Sequence, residues 1–234
     1  MTVSTTEITF RSDMTVHPVQ HMGDEKLIVE AAQLSTLGKG IRIKEVTDPA
    51  RFVRWLMREK HGSPFEHVVF TFYLEVPIFV SRQVVKYRIS SINEESGRYK
   101  ELEPVFYVVP PERPIVQVGK TGDYKFVHDE GKNRNKAARQ KRRAERWYTE
   151  YQMDLEDGFA KEVSRMETPV NLYSSMMVTM NLRSWLHFCA QRATDAPSHG
   201  QWEIAQVADQ VGEYLKSVVP NVWDEFVARG YEKP

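Results

Sequence analysis

The sequence predicts a fold of mixed helices and strands, built as a single domain over residues 1–234. Three observations predict it. A chain of 234 residues is long for one core and short for two, and it buries most of its unfolded surface. Stretches with apolar residues at helical spacing recur at 25–37, 49–60 and 202–219, the pattern of helices with one buried face. Bulky and β-branched residues run from Phe65 to Val76, as in a buried strand.

Taken in order, residues 4–10 alternate as a first strand. His17 to Asp24 is polar and turn-like. Glu25 to Leu37 is a helix with Leu27, Ala31 and Leu34 on one face, and Gly38 ends it. Asp48-Pro49 is an N-cap followed by proline at the first helical position. Phe52, Trp55, Leu56 and Lys60 mark one side of that helix, and His61-Gly62-Ser63-Pro64 is a turn. After the strand at 65–76, Pro77 interrupts, and Ile78 to Val85 suits either strand or helix. Glu103 to Pro114 is extended and proline-punctuated. Residues 117–131 are an exposed connection. Residues 131–147 are heavily basic, and a helix begins at Ala137 and runs to about Met153 with Trp147, Tyr148 and Tyr151. Such a run either grips nucleic acid or forms a solvated face; the solvated face is the favoured reading. A short helical segment follows at 158–165, broken by Thr168-Pro169. Asn171 to Ala193 is strand or turn and then helix, with Leu182, Trp185, Leu186 and Cys189 inward. Arg183, His187 and Arg192 interrupt that apolar stretch and need partners wherever they are buried. A loop at 194–200 leads to the helix at 202–219, and a short helix carries Trp223 and Phe226.

Lys plus Arg equals Asp plus Glu, 32 each, so no net field favours nucleic acid or an acidic membrane. The single cysteine, Cys189, excludes a disulfide framework, a cysteine zinc cluster and a CxxC redox pair within one chain. No metal site is expected. There is no signal-peptide pattern, no apolar run long enough to cross a bilayer and no internal repeat. A cytoplasmic protein is expected.

The chemistry concentrates between Arg82 and Tyr99. Arg82, Lys86, Arg88 and Arg98 sit among Ser90, Ser91, Asn93, Glu94, Ser96 and Gly97. Guanidinium forks match phosphate oxygens, and glycine lets backbone amides approach an anion. A solvated helix end is the other reading of such a cluster, and composition names no ligand. His61 and His67 flank the turn that precedes this region.

The string Lys86-Tyr87-Arg88, then Ser91, Asn93, Glu94, Ser96 and Arg98, resembles the signature R-H-R-x-x-S-x-N-E-x-S-x-R of the flavin-dependent thymidylate synthases. HGSPFEHVVFTF and PIFVSRQ upstream, and NLYSSMMVTMNLRS and QRATDAPSHGQWEI downstream, are similar to that family's other blocks, in order, from about residue 25 to 215. The resemblance implies an α/β fold, a central antiparallel sheet flanked by helices. It implies a homotetramer with active sites between subunits and no partner membrane or nucleic acid. The reaction implied is reductive methylation of dUMP to dTMP, with FAD as cofactor and NADPH and 5,10-methylenetetrahydrofolate as co-substrates. It makes Arg192 the catalytic residue, binding the pyrimidine and stabilising charge on it. Gln83, Lys86, Glu94, Glu95, Ser96, Gly97 and Arg98 join Arg192 around dUMP, Ser96 and Arg98 at the phosphate. The FAD side takes Ser35, Ser63, Glu66, Lys86, Tyr87, Arg88, Glu94, Asn181, Arg183, His187 and His199, with His61 nearby.

Three departures fall at the ligand end. Lys86-Tyr87 replaces Arg-His. Ser175 stands where many members carry an arginine. The loop from Arg192 to His199 is three residues longer than the usual R-x-x-x-H spacing. Two other functions therefore stay open: a related flavin and folate enzyme acting on another pyrimidine nucleotide, for example a hydroxymethylase, and a non-catalytic nucleotide-binding homologue.

Overall fold

The computed structural model describes residues 7–37, 48–120 and 123–234. In chain order its elements begin with β1 (Thr9–Arg11), β2 (Thr15–Met22), α1 (Glu25–Leu37), α2 (Pro49–Arg58), a 3-10 turn (Ser63–His67), β3 (Val69–Pro77), α3 (Ile78–Val84) and β4 (Ser91–Glu94). Then come β5 (Val105–Tyr107), β6 (Val116–Lys120), β7 (Asp123–Val127), α4 (Glu130–Glu156) and α5 (Lys161–Ser164). A 3-10 turn (Arg165–Glu167), β8 (Tyr173–Asn181), α6 (Leu182–Arg192), α7 (Trp202–Val218) and α8 (Pro220–Ala228) complete it. The chain forms two compact units interleaved in sequence. One takes residues up to Asp13, Val76–Ser81 and Glu95–Ser174; the other takes Met14–Glu75, Arg82–Glu94 and Ser175–Pro234.

The second unit is organised by a four-stranded sheet in the order β2-β3-β8-β4. The β2–β3 and β4–β8 pairs are antiparallel, as the family resemblance implied. Phe70, Phe72 and Leu74 alternate along β3, and Met176, Val178 and Met180 along β8; all are buried. Each such side chain contributes roughly 1.5–3 kcal/mol by leaving water. Trp185 of α6 meets Phe72 edge-on at 5.0 Å, and its indole N–H donates to the Phe70 carbonyl at 3.2 Å. Between β3 and β8, the Thr71 and Thr179 hydroxyls bond at 2.9 Å.

Local sequence explains several boundaries. The Asp48 carboxylate accepts from the Arg51 amide at 2.9 Å and starts α2 where the cap pattern places it. The buried residues of α2 are Val53, Leu56 and Met57; of the expected side only Leu56 is among them, while the half-buried Phe52 stacks on the exposed Trp55 at 5.8 Å. On α1 the buried residues are Ile28 and Val29, while Leu34 is exposed, because this helix packs against both α2 and the 3-10 turn at 63–67. The expected turn at 17–24 is mostly strand. β2 is an edge of the sheet, so it tolerates Pro18, and a bulge between Pro18 and Gln20 breaks the alternation that marks strands.

In the first unit β1 pairs with β5 in parallel. The expected strand at 4–10 thus appears at Thr9–Arg11, its first residues lying outside those described. α4 is longer than expected because Asp129 caps it, accepting from the Lys132 amide at 2.9 Å. Ala144, Tyr148 and Tyr151 of α4 pack with Phe106 and Leu172, and the Tyr151 hydroxyl accepts from the Leu102 amide at 3.1 Å. The expected exposed connection at 117–131 is largely the hairpin β6–β7. Its residues are exposed on both faces, which leaves no two-residue period to read. Gly119 there has φ +107°, a conformation that side chains disfavour. No helix among the described residues is long and apolar enough to cross a membrane.

Candidate active site

The site lies in the second unit and is built from two segments. The first leaves α3, where the Tyr87 amide donates to the Val84 carbonyl at 3.1 Å. The Ser90 hydroxyl then donates to the Tyr87 carbonyl at 2.5 Å, and β4 fixes the next residues by pairing Ser91–Glu94 with Thr179–Met176 of β8. Lys86, Tyr87 and Arg88 are thus presented on a short turn held at both ends. The second segment is α6. The Asn181 side chain accepts from the Ser184 amide at 2.9 Å and caps it. Leu182, Trp185, Leu186, Phe188 and Cys189 bury one face. Arg183 and His187 lie one turn apart on the other, with Arg192 at the end.

Tyr87 joins the two segments. Its ring stands edge-on to Phe188 at 5.1 Å and to His187 at 5.8 Å, and its hydroxyl oxygen accepts from Arg192 Nε at 3.1 Å. Burial pushes the Tyr87 phenol above the usual tyrosine range, and the Arg192 charge only partly offsets this. The phenol therefore keeps its proton, while Arg192 has its Nε committed. On the far side of the loop that follows, Gly200 packs so closely that a Cβ there would overlap the Arg192 carbonyl.

Arg183 donates from Nη1 to Glu66 at 2.6 Å and from Nε to the main-chain oxygen of Pro234 at 3.3 Å. It has room only because residue 62 is glycine; a Cβ there would lie 2.5 Å from Arg183 Nε. His187 Nδ1 is 3.2 Å from Lys233 Nζ. Burial, then the Lys233 charge, holds the His187 imidazole below the usual histidine range. Cys189 is fully buried, its thiol contacting the Ala208 carbonyl at 3.7 Å. Burial pushes that thiol far up, so no thiolate nucleophile is offered.

A cavity of about 570 Å³ opens among these groups, lined by Glu66, Lys86, Tyr87, Arg88, Ile89, Asn181, Arg183, Ser184, His187, Gln191, Arg192 and Lys233. Its size is that of a ligand site. Its cations are Lys86, Arg88, Arg183, Arg192 and Lys233, set against the one carboxylate of Glu66. That donor set, beside the aromatic edge of Tyr87, fits an anionic ligand that carries phosphates and a planar ring.

Eight residues expected at a ligand thus line one cavity: Glu66, Lys86, Tyr87, Arg88, Asn181, Arg183, His187 and Arg192. Gln83, Glu94, Ser63 and His199 belong to the same unit but do not line it. Gln83 donates to Gln201 at 3.0 Å, and Gln201 donates to the buried Glu203 at 2.8 Å. His199 has φ +51° in the loop after α6, and His61 packs against Trp55 at 5.0 Å. Ser175 accepts from the Tyr73 hydroxyl at 2.9 Å. The side chain of Ser35 lies outside the described residues. Glu95, Ser96, Gly97 and Arg98 belong to the first unit, where Glu95 pairs with Lys100 at 3.0 Å, Arg98 with Glu162 at 2.9 Å, and the Ser96 hydroxyl accepts from the Arg98 amide at 3.3 Å. Ile89, Ser184, Gln191 and Lys233 line the cavity without having been expected. The first three adjoin motif residues; Lys233 carries no local signal.

Residues 19–221 match the family described as "Thymidylate synthase complementing protein". The chain is 39% identical to the flavin-dependent thymidylate synthase of Tropheryma whipplei (strain TW08/27), over 96% of this chain and 97% of that protein. It is likewise 39% identical to the flavin-dependent thymidylate synthase of Streptomyces avermitilis, over 96% and 95%. Among solved structures it resembles the UMP/dUMP methylase PolB from Streptomyces cacaoi bound with 5-Br UMP, with a TM-score of 0.89 and 36% identity, covering 97% of this chain and all of that one. A second PolB structure, with 5-Br dUMP, gives 0.88 and 37%. The fold and cavity define an α/β protein with a cationic ligand site edged by an aromatic ring. The chain belongs to the flavin-dependent thymidylate synthase family.

Proposed function

We propose that this chain methylates C5 of the uracil ring of dUMP, giving dTMP, as a FAD-dependent methyltransferase. The observation that carries the reading is the cavity in which Arg192 is held by Tyr87 of the signature segment, with Lys86, Arg88 and Arg183 around it. Family membership supports FAD as cofactor. The motif resemblance supports 5,10-methylenetetrahydrofolate as carbon donor and NADPH as reductant. In the net reaction the ring loses its C5 proton and gains the folate's one-carbon unit and a hydride, and tetrahydrofolate leaves. Bound FAD, once reduced, supplies that hydride.

The chain's own residues bind and orient. Arg192, its Nε occupied by Tyr87, keeps its terminal nitrogens for the pyrimidine, where a fixed cation favours the electron-rich ring. Lys86, Arg88 and Arg183 supply cationic donors for the pyrophosphate of FAD. Asn181 holds the helix that carries Arg183, His187 and Arg192. The substrate phosphate is assigned to Ser96 and Arg98, with Gln83, Glu94, Glu95 and Gly97, on the motif resemblance. The same resemblance supports a homotetramer with sites between subunits, in the cytoplasm, formed by one family domain.

A second reading concerns the sugar. PolB is described as acting on UMP as well as dUMP, and its similarity to this chain supports UMP as an alternative substrate. The test is a visible absorption spectrum of the purified protein, then anaerobic NADPH, then nucleotide with methylenetetrahydrofolate. An oxidised-flavin spectrum that NADPH bleaches and that returns with dUMP, together with a product heavier by a net CH2 as methyl replaces hydrogen, is expected. No flavin after incubation with excess FAD overturns the assignment. Product mass separates methyl from hydroxymethyl, and competition between dUMP and UMP separates the two substrates.

A further inference from the structure

We propose that Lys233 is a binding and positioning residue of this cavity: it holds His187 as the neutral tautomer protonated on Nε2 and adds a cation to the wall that receives the ligand's diphosphate. The second half rests on the flavin reading above; the first does not. Lys233 Nζ stands 3.2 Å from His187 Nδ1. An ammonium only donates, so Nδ1 must accept, and the ring's one proton is then on Nε2. The charged and titratable groups of this cavity are Tyr87, Lys86 and Arg88 from the signature turn, Arg183 and Arg192 from α6, Glu66 and Lys233. Of these, Tyr87 is a neutral phenol beside the ring, and Glu66 is engaged by Arg183. Among the described residues no carboxylate hydrogen-bonds His187, and an Nδ1 that accepts from Lys233 belongs to a neutral ring.

The segment that brings Lys233 to this place is built rather than loose. The Tyr231 ring packs on Phe226 at 5.1 Å, and its amide donates to the Phe226 carbonyl at 2.9 Å. Glu232 pairs with Lys60 at 2.7 Å and also with Arg229. Pro234 is buried and accepts from Arg183. Lys233 is thus fixed on both sides. Its charge enters a cavity that already holds four cations and one carboxylate. Like charges gathered in one recess repel unless an anion joins them, and a diphosphate supplies that anion.

The test uses the full chain labelled with ¹⁵N-histidine, as wild type and as Lys233→Met, Lys233→Arg and His187→Gln, the last to assign the signal. Without any flavin, the wild-type His187 is expected to show an unprotonated Nδ1 and a protonated Nε2 at pH 7.5. Lys233→Met should mix the two tautomers and raise the titration midpoint, while Lys233→Arg should keep the wild-type pattern. In a second arm, Lys233→Met should weaken binding of FAD and of ADP by about tenfold. Unchanged His187 signals in Lys233→Met overturn the proposal whatever the flavin does. Tighter FAD binding in that variant also overturns it, since the side chain would then obstruct the ligand. A wild type that shows the expected tautomer but binds no FAD supports the Lys233–His187 pairing and overturns the flavin reading.

Discussion

The hydrogen bond from Arg192 to Tyr87 ties the end of α6 to the signature turn. Tyr87→Phe keeps the ring and its packing on Phe188 but removes the acceptor. Losing a hydrogen bond to a charged group costs about 1.5–3 kcal/mol, so kcat/KM should fall roughly tenfold to a hundredfold with bound flavin retained. Arg192→Ala should abolish product while flavin absorbance remains; normal turnover would remove Arg192 from the chemistry. His187 makes a pH-dependent contribution. Its folded form favours the neutral ring, so the unfolded chain binds the proton more readily. The stability it adds is complete above the ordinary histidine value, about 6.5, and is lost as pH falls through the lower folded value. Urea melts from pH 7.5 to 5 should show a loss that His187→Gln removes; parallel curves for the two proteins would contradict the shift.

At the scale of the element, α6 sets the geometry, and Asn181 starts α6. Asn181→Ala removes a cap worth about 1 kcal/mol, which should lower Tm by roughly 2–4 °C in a chain of this size. It should also raise the flavin dissociation constant, since Arg183 and His187 ride on the freed first turns; an unchanged Tm would mean the α6 terminus is held by packing alone. The elements that sequence revealed are those with a strong local device: α1 by period, α2 by Asp48-Pro49, β3 by composition. β2 and the β6–β7 hairpin were missed for one reason. Each has exposed residues on both faces, so neither shows the alternation that half-burial writes into a strand. The start of α4 was missed because Gly131, Asn133 and Asn135 suggest loop, whereas the Asp129 cap and the contact of Asn133 with the Pro110 and Arg113 carbonyls, both at 2.9 Å, hold the helix there.

For the whole molecule, the candidate site was legible where a motif carried it and illegible where only tertiary structure did. Lys86 to Arg88, Asn181, Arg183, His187 and Arg192 stand in recognisable strings. Lys233 lies 46 residues from His187, and nothing near it in sequence marks it as a site residue. A homotetramer is expected by analytical ultracentrifugation of the flavin-loaded protein; a monomer that turns over dUMP at full rate would refute sites built between subunits.

The Glu25 carboxylate, in the first turn of α1, accepts from the Asn221 amide and side chain at 2.6 Å each and from the Val222 amide at 3.1 Å. It therefore caps α8 from a position 196 residues earlier in the chain. Most of β8, with α6, α7 and α8, belongs to the same unit as α1 and most of β3, so that unit cannot close during synthesis until residues as late as Asn221 have been made. Until α6 is made, the apolar face of β3 has no Trp185 to cover it. Such late closure slows folding and leaves an aggregation-prone strand exposed while it lasts.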